Sequence, residues 1–433
     1  MFKNLEGKKL LILGGVRMLV DFVLRAKKMG LCVYVADYNE TGPAKEVADV
    51  PVLMDATDVD AIVKFCREEK IDGVTTGYVD ILMPVCRKVC NELNIPYYAT
   101  DELIEVSTDK VAFKEMCKKY DLPIPKSYNI KKEQFKEEAA RLEYPVFVKP
   151  LDASGSRGAG VCFNKNEFIK QYEEALSFSS KQEVIVEEYL TGTDFLLDYL
   201  LVDGEVYLLS MFDRKMCKNR ASAINHSNLL IAPSYGLENY VANVNPKVVN
   251  MCKEMGFTDG IIFLQGYIDG EKITFFEMGC RLGGSFPSVD EYYIGINPTD
   301  MLIHHAITGE MINKEYCHKI TPYFKGVGGV VNLLADKTSG KVACIKGFEE
   351  IKSMPQVVNF IQYMQEGDEF ESSRFTDCPI AIVHIATKNF QDYVEVVNKI
   401  YSVVDVLDDK GESLLMPVYD TKELSEKQYV SCY

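Results

Sequence analysis

The chain has 433 residues, of which 47% are apolar and 26% charged, so it is long enough for two or three domains and has an ordinary globular composition. Its 64 acidic residues outnumber its 48 Lys and Arg, and the formal charge of −16 disfavours a nucleic-acid backbone as a partner. The charge does not exclude a small anionic ligand, because a site can be locally basic within an acidic protein.

The sequence gives no sign of a membrane segment or of secretion. No apolar run reaches the length of a bilayer span, and Gly14-Gly15 is followed by Val16-Arg17 instead of a signal-peptide cleavage site. The 13 cysteines form no CxxC pair, and their odd number argues against a complete disulfide framework. We therefore expect a cytoplasmic protein with buried free thiols.

The first hundred residues alternate strands with helices. Strands are predicted at 9–13, ending in Gly14-Gly15, and at 31–36, ending at Asp37, with a helix at 17–29 between them. This alternation is typical of a doubly wound α/β domain with a parallel sheet. A dinucleotide site is the less favoured alternative, because the full GxGxxG is missing and a glycine pair often serves only as a tight turn.

The pattern changes near Thr108. A helix is predicted from 111 to 120, and hairpins at 184–209 and 261–279 turn at Asp203-Gly204 and Asp269-Gly270. Strands at 327–334 and 380–386 and a helix at 390–402 follow. We predict three domains, at 1–107, 108–320 and 321–433, of which the first is α/β and the last is a small α+β domain.

Three short segments have residues suited to nucleotide chemistry. In residues 147–161, FVKPLDASGSRGAGV, a strand leads to Lys149 and then to a loop of small residues. Backbone N–H groups of such a loop can approach phosphate oxygens, and the lysine adds a positive charge. The alternative is an ordinary turn with a surface lysine, and the loop alone does not decide between them.

The other two segments contain carboxylates. In residues 185–190, IVEEYL, extended backbone could bind an adenine edge, although a Glu pair at a strand end is usually just solvated. In residues 275–285, FFEMGCRLGGS, Glu277 interrupts an apolar strand, where a carboxylate is costly unless it is paired or binds a cation. Mg²⁺ in nucleotide sites is usually held by one or two carboxylates and by substrate phosphates.

Taken in this order, these segments resemble the ATP-grasp superfamily over roughly the first 320 residues. The resemblance is greatest to carboxylate–amine ligases, including the L-amino-acid ligases and the large chain of carbamoyl-phosphate synthase. It implies an ATP-grasp body at 108–320 with a mobile lid at about 128–187, in which ATP lies between two antiparallel sheets.

The resemblance assigns roles to individual residues. Lys110 and Lys149 match the two lysines that contact ATP phosphates, and Lys149 would also be catalytic. Residues of the covering loop follow, namely Ser154, Gly155, Ser156 and Gly158. Glu187, Tyr189 and Leu190 match the adenine hinge, with Glu188 beside them, and Asp194 falls at the ribose position. Glu277 matches a magnesium ligand, and Arg281 matches the catalytic arginine that steadies the phosphoryl group or the substrate carboxylate.

Two positions depart from the family pattern. Gly279 stands where an asparagine usually completes the metal site, and Gln265 stands where the other metal carboxylate is usually Glu. Because neutral ligands bind Mg²⁺ more weakly, the chain could hold fewer metal ions, use another ligand, or have lost activity.

Residues 213–226 are basic within an acidic protein. They include Lys215 and His226, which we interpret as substrate-binding residues that face the ATP phosphates, together with Arg214, Lys218 and Arg220. The alternative is a solvated loop.

The expected function is ATP-dependent phosphorylation of a small carboxylate, followed by coupling of the acyl phosphate to a nucleophile, most often an amine. ATP and Mg²⁺ are the expected cofactors, and small-molecule acids and amines are the expected partners, with no nucleic acid, no membrane and room for a homodimer. A bicarbonate-activating carboxylase and a non-enzymatic ATP-binding module are the alternatives.

Overall fold

The computed structural model describes residues 2–152, 157–217, 226–283, 287–371 and 378–429. Within these ranges, no helix has the length and apolar character needed to cross a bilayer. The cysteines whose side chains are described are free thiols, and most of them are buried, as the sequence predicts.

The N-terminal part is built on a parallel sheet. Its described strands are β1 (Lys9–Leu13), β2 (Cys32–Asp37), β3 (Val50–Leu53) and β4 (Gly73–Thr75), in the order β3-β2-β1-β4. The helices are α1 (Val20–Lys28), α2 (Pro43–Val47), α3 (Val59–Glu69) and α4 (Met83–Leu93). The parallel α/β prediction is confirmed. A short helical turn, Asp80–Leu82, follows the carboxyl end of β4 and positions Asp80.

Two helices, α5 (Asp101–Thr108) and α6 (Lys110–Lys119), lead into the next part of the chain. The Asp109 side chain caps α6 by accepting hydrogen bonds from the backbone N–H groups of Val111 (2.8 Å) and Ala112 (3.0 Å). This cap makes Lys110 the first residue of the helix. Lys114 lies one turn later and therefore on the same face.

A small antiparallel sheet follows. Its described strands are β5 (Ser127–Tyr128), β6 (Val146–Pro150), β7 (Gly160–Cys162) and β8 (Val184–Glu188), in the order β5-β8-β6-β7, with helices α7 (Phe135–Glu138) and α8 (Lys165–Phe178). Val146, Val148, Phe168 and Tyr172 form a hydrophobic core of its own. The sheet falls within the segment predicted as a lid, and the mobility of that segment stays a prediction.

The largest sheet has eight described strands in the order β13-β12-β9-β10-β11-β14-β19-β17. They are β9 (Thr193–Val202), β10 (Glu205–Cys217), β11 (His226–Ala232), β12 (Gly260–Asp269), β13 (Lys272–Gly279), β14 (Val327–Leu334), β17 (Val357–Gln362) and β19 (Pro379–Thr387). Both predicted turns are present, in the hairpins β9–β10 and β12–β13. The first hairpin begins at Thr193 and not at residue 184, because Val184–Glu188 is β8 of the small sheet.

The remaining described elements surround this sheet. The helices are α9 (Leu237–Asn243), α10 (Asn245–Glu254), α11 (Pro287–Ile294), α12 (Pro298–Thr308), α13 (Phe348–Lys352), α14 (Phe390–Val403) and α15 (Glu426–Tyr429). The short strands β15 (Ser339–Lys341) and β18 (Glu369–Glu371) pair, as do β16 (Cys344–Lys346) and β20 (Asp405–Leu407). Because β14, β17 and β19 belong to the large sheet, that sheet continues past residue 320, and the domain boundary there stays a prediction.

The two faces of the large sheet have different surroundings. On β9, Phe195, Leu197 and Tyr199 point to a core that includes residues of α5, α6, α9 and α10. Leu196 and Leu200 point to the opposite face, into a core shared with the N-terminal sheet and with α11 and α12. Since side chains alternate along a strand, Asp194 and Asp198 lie on this second face.

Candidate active site

A buried carboxylate organises the small sheet and α6. Glu187 on β8 is 2% exposed, and one of its oxygens lies 2.9 Å from the Lys149 ammonium on β6. The other oxygen pairs with Lys114 of α6. Burial alone would raise the pKa of Glu187, but the two lysines lower it below its ordinary value. Glu187 therefore stays ionised, and its two oxygens hold the ammonium groups of Lys114 and Lys149 near each other.

Lys110 adds a third ammonium group beside this cluster. Its Nζ donates a hydrogen bond to the carbonyl of Pro150 at 3.1 Å, at the end of β6. Burial, followed by repulsion from Lys149, lowers the pKa of Lys110 to about 8, while Glu277 of the large sheet favours the charged form. Lys110 is thus within electrostatic reach of both antiparallel sheets. Three lysines against one buried glutamate make this region locally basic in an acidic protein.

The predicted adenine hinge follows β8 directly. The Glu188 carboxylate accepts a hydrogen bond from the backbone N–H of Lys126 at 3.1 Å, and the Lys272 ammonium lies 3.6 Å from it. The Tyr189 N–H donates to the carbonyl of Pro145 at 3.2 Å. Glu188, Tyr189 and Leu190 are all half-buried. The hinge is therefore anchored to both sheets, and its predicted contact with adenine stays a prediction.

Asp194 has protein partners in the position predicted for a ribose contact. Its two oxygens accept hydrogen bonds from Arg214 Nη1 (3.1 and 3.2 Å) and from Gln265 Nε2 (3.2 Å each). Burial raises the pKa of Asp194 to about 6, and Arg214 opposes that shift. Arg214, predicted within the basic segment, is thus an ion-pair partner of Asp194.

Glu277 is the exposed carboxylate of this face. It lies opposite Gln265 in the register of β12 and β13, and its charge acts on Lys110, Asp194 and Arg281. Because the Gln265 amide nitrogen is bonded to Asp194, the amide oxygen is the atom that could bind a cation. The described residues contain no group of three or more His, Cys, Asp or Glu side chains suited to a metal on their own. A cation here would depend on ligand oxygens as well.

Arg281 is held by the N-terminal part of the chain. Its Nε and Nη2 donate to the two oxygens of Asp80 at 2.6 and 2.8 Å, and its Nη1 donates to the carbonyl of Leu282 at 2.8 Å. The guanidinium also lies over the Phe263 ring, 4.9 Å from its centroid. A bidentate pair of this kind fixes the plane of the guanidinium.

Phe263 explains the glycine at position 279. The two residues face each other in the register of β12 and β13, and a Cβ on Gly279 would lie 2.1 Å from the Phe263 ring. A Cβ on Gly283 would lie 2.4 Å from the Phe263 Cβ. The Phe263 side chain therefore occupies the space that a side chain at position 279 or 283 would need. Its ring contacts the Arg281 guanidinium.

Comparisons with known proteins agree with this architecture. Residues 109–302 match the family described as "Carbamoyl-phosphate synthase L chain, ATP binding domain". The fold is similar to the crystal structure of an L-amino acid ligase from Bacillus licheniformis, with a TM-score of 0.74 and 18% identity over 93% of this chain and 99% of that one. Residues 109–302 are therefore similar to an ATP-binding domain of the ATP-grasp type.

Other relatives of the ATP-grasp domain have different named activities. A formate-dependent phosphoribosylglycinamide formyltransferase from Sulfurisphaera tokodaii is 23% identical over 63% of this chain and 70% of its own length. A carbamoyl phosphate synthase large chain from Clostridium botulinum is 24% identical over 59% of this chain. The match covers 23% of the length of that relative, which is much longer than this chain.

The structure places the remaining predicted residues as follows. Gly158 has a positive φ of 67°, and its carbonyl accepts a hydrogen bond from Gln171 at 3.0 Å. Ser154, Gly155 and Ser156 of the covering loop lie outside the described residues, as do Lys218 and Arg220. His226 begins β11, and its side chain is also outside the description.

Lys215 has surroundings that differ from those of an open substrate wall. It is 11% exposed in its side chain, and its ammonium lies 3.7 Å from the buried Asp213. The rings of Tyr235 and Tyr429 lie 5.8 and 5.6 Å from that ammonium, and the Tyr429 hydroxyl donates to Asp213 at 2.6 Å. Tyr429 belongs to α15, so the C-terminal helix covers Lys215. Its predicted contact with substrate stays a prediction.

Sequence reasoning missed three residues of this site, namely Asp80, Lys114 and Phe263. Lys114 had a detectable signal, because it follows Lys110 by one helical turn. Phe263 had no usable signal, because its pairing with Gly279 depends on a β-bulge between Gln265 and Gly266 that shifts the register of the hairpin. Asp80 had no local signal, since 201 residues separate it from Arg281.

Replacement of Lys149 by alanine should weaken ATP binding about tenfold to a hundredfold, because a hydrogen bond to a charged group contributes ~1.5–3 kcal/mol. Calorimetric titration with ATP measures the change. The exposed Lys165 of α8 supplies the control, and Lys165→Ala should bind ATP as the wild type does. Equal affinities of both variants would remove Lys149 from the nucleotide site.

Replacement of Gly279 by asparagine should lower stability by about 1–3 kcal/mol, because the new side chain overlaps the Phe263 ring. Gly279→Asn should cost less in a Phe263→Ala background than in the wild type, which denaturant unfolding of both single variants and the double variant measures. Gly270→Asn on the same hairpin is the control for added volume, since a Cβ there meets nothing within 4 Å and asparagine tolerates the positive φ of 60° better than most residues do. Additive effects of the two substitutions would disprove the steric explanation.

Proposed function

We propose that the chain is an ATP-dependent ligase that phosphorylates a small carboxylate and couples the resulting acyl phosphate to an amine. The observation that carries this proposal is the convergence of charged groups from α6 and the small sheet on one side and from the end of the large sheet on the other. Lys110 and Lys149 come from one side, and Glu277 and Arg281 come from the other, with Lys110 in electrostatic reach of Glu277. Such groups suit the positioning and charge neutralisation that phosphoryl transfer requires.

The nucleotide side of the proposal assigns one task to each group. Lys110 and Lys149 neutralise phosphate oxygens, Lys149 being oriented by its ion pair with Glu187. The backbone after Glu187 binds the adenine edge, where Glu188, Tyr189 and Leu190 are half-buried and anchored. The resemblance assigns the loop of small residues that precedes Gly158 to the phosphates, because small residues let backbone N–H groups approach phosphate oxygens.

The metal side requires that the residues present fit Mg²⁺. Glu277 offers an exposed carboxylate, and Gln265 opposite to it offers an amide oxygen, since its nitrogen is bonded to Asp194. These hard oxygen donors fit a magnesium ion that also binds ATP phosphates. When bound, Mg²⁺ supplies charge neutralisation of the phosphates. Gly279 adds no ligand, because Phe263 fills its side-chain space.

The chemistry then follows from the position of Arg281. The guanidinium, fixed by Asp80 and Phe263, orients the γ-phosphoryl group and the substrate carboxylate towards each other. A carboxylate oxygen attacks the γ-phosphorus, and the bond to the ADP oxygen breaks. An amine nitrogen then attacks the acyl carbon and loses a proton to solvent, and inorganic phosphate leaves with the former carboxylate oxygen.

A second candidate function is activation of bicarbonate. The fold is also similar to the biotin carboxylase domain of the Hydrogenobacter thermophilus 2-oxoglutarate carboxylase, described with MgADP and bicarbonate, at a TM-score of 0.75 and 19% identity over 93% of this chain and 91% of that one. A screen of acids and amines for ADP and phosphate release separates the functions. We expect release that needs both an organic acid and an amine. Release that needs bicarbonate alone would support the carboxylase.

We also propose a cytoplasmic location, on the basis of the free thiols of the described cysteines, and a homodimeric assembly. The biotin carboxylase neighbour from Hydrogenobacter thermophilus is described as a dimer. Light scattering of the purified chain measures its mass in solution, and a monomer across the micromolar range would contradict the dimer.

Replacement of Glu277 by glutamine should abolish acid-dependent ADP release while the thermal midpoint stays within a few degrees of the wild type, because the exposed side chain carries charge and no packing. Titration of ADP release with Mg²⁺ measures the effect. Wild-type turnover by this variant at low Mg²⁺ would contradict the metal assignment.

Replacement of Asp80 by alanine should lower acid-dependent ADP release by about tenfold or more, because Arg281 loses the pair that fixes its plane. Arg281→Lys should have a similar effect, since lysine cannot grip two oxygens. Calorimetric ATP titration should give wild-type affinity for both variants, and the exposed Asp60→Ala should change neither quantity. Undiminished ADP release in both variants would place the carboxylate elsewhere.

A further inference from the structure

Two further carboxyl groups, those of Asp198 and Asp290, are buried at the face of the large sheet that carries Asp194. Asp198 of β9 is 1% exposed and stands opposite Ser210 of β10, which is fully buried. Asp290 of α11, also 1% exposed, lies beside them, and its charge and that of Asp198 repel each other. The activity proposed above uses none of these three residues.

The hydrogen bonding of this group is incomplete. Asp198 accepts the backbone N–H of Gly283 at 3.0 Å. In the described part of the chain, neither the Asp290 oxygens nor the Ser210 hydroxyl has a hydrogen bond of standard geometry, and the interaction of the Ser210 hydroxyl with Asp290 only partly favours the charged carboxylate. A buried carboxyl group with so little hydrogen bonding is costly, and such groups in native proteins commonly serve a ligand or a reaction.

The charges around Asp198 and Asp290 indicate which kind of ligand would suit them. Burial and then the charge of Asp198 raise the pKa of Asp290 well above its ordinary value, and burial raises the pKa of Asp198 to about 7. Arg281 favours the charged form of Asp198, but no described cation acts in this way on Asp290. Without a cation the two groups must retain a proton, and a bound cation would replace it.

The site has the number and type of acceptors that an ammonium group requires. Asp198, Ser210 and Asp290 each offer an oxygen, and a primary ammonium group has three N–H donors. The site also adjoins the proposed carboxylate site, because the Gly283 N–H that binds Asp198 lies two residues after Arg281. A carboxylate at Arg281 and an ammonium at the pair are the two charged ends of an amino acid.

We propose that Asp198, Ser210 and Asp290 bind the primary ammonium group of the acid substrate, so that the ligase selects amino acids over simple carboxylic acids. This inference rests on the proposed function. The ammonium is placed on the acid and not on the nucleophile, because a group held protonated between two carboxylates cannot attack an acyl phosphate.

A stability comparison tests the site without any knowledge of the substrate. If the pair exists for a ligand, Asp290→Asn should raise the thermal midpoint of the ligand-free protein, because it removes a buried, unpaired acid. Asp213→Asn is the matched control on β10, since Asp213 is equally buried but bonded to Ser234 and Tyr429, and it should lower the midpoint. A midpoint that falls in both variants would overturn the proposal.

A binding comparison uses methylammonium chloride as the probe. It should raise the wild-type midpoint more than equal concentrations of tetramethylammonium chloride or potassium chloride, and this difference should vanish in Asp290→Asn. Equal shifts with all three salts would overturn an ammonium site. An equal shift with potassium and methylammonium, but not with tetramethylammonium, would likewise overturn it in favour of an inorganic cation.

The activity comparison separates failure of this inference from failure of the proposed function. For an amino acid that supports ADP release, the wild type should prefer it over its deaminated analogue by tenfold or more in kcat/KM, and Asp290→Asn should lose most of that preference through KM. An unchanged preference, or turnover with simple acids only, would overturn the site and leave the ligase intact. If no acid supports turnover, the ligase fails, and the two preceding measurements still decide the site.

Discussion

The ion pairs of Glu187 with Lys149 and Lys114 connect the small sheet to α6, and the nucleotide side of the cleft depends on them. A single buried carboxylate between two ammonium groups keeps its charge, and it orients side chains from two separate elements. Lys110 begins the same helix and is therefore placed by the same contact. The segment proposed to bind adenine follows Glu187 in the chain, so in the proposed site this one residue positions groups for both ends of a nucleotide.

The opposite side of the cleft is organised by Phe263. Its ring fills the side-chain space of Gly279 and of Gly283, and it supports the Arg281 guanidinium that Asp80 grips from the N-terminal sheet. The asparagine of the family pattern is thus replaced by an aromatic contact, and the proposed metal site depends on Glu277 and Gln265. Asp80 follows β4, so the N-terminal part of the chain contributes a side chain that holds Arg281 in the cleft.

The sequence allowed much of the fold to be predicted, because hairpins and parallel strands leave local patterns. The turns at Asp203-Gly204 and Asp269-Gly270 located both hairpins of the large sheet, and the segment 327–334 is β14 as predicted. The continuity of that sheet past residue 320 could not be predicted, since the pairing of β11 with β14 joins segments about a hundred residues apart. The residues of the candidate site also differ in how far the sequence could predict them. Lys149, Glu187 and Glu277 lie in recognisable local motifs, whereas Asp80, Asp198 and Asp290 gain their surroundings only from tertiary packing.

The central claim is that the cleft forms an acyl phosphate from an organic acid and ATP. Positional isotope exchange tests it most directly, with ATP labelled at the β,γ-bridging oxygen, Mg²⁺ and a pool of amino acids whose own amino groups are the only amines added. Reversible transfer of the γ-phosphoryl group to a carboxylate frees the labelled β-phosphate to rotate, so the label should move to a non-bridging position only when the acids are present. Exchange that is absent from the wild type, or that needs bicarbonate instead of the acids, would contradict this account.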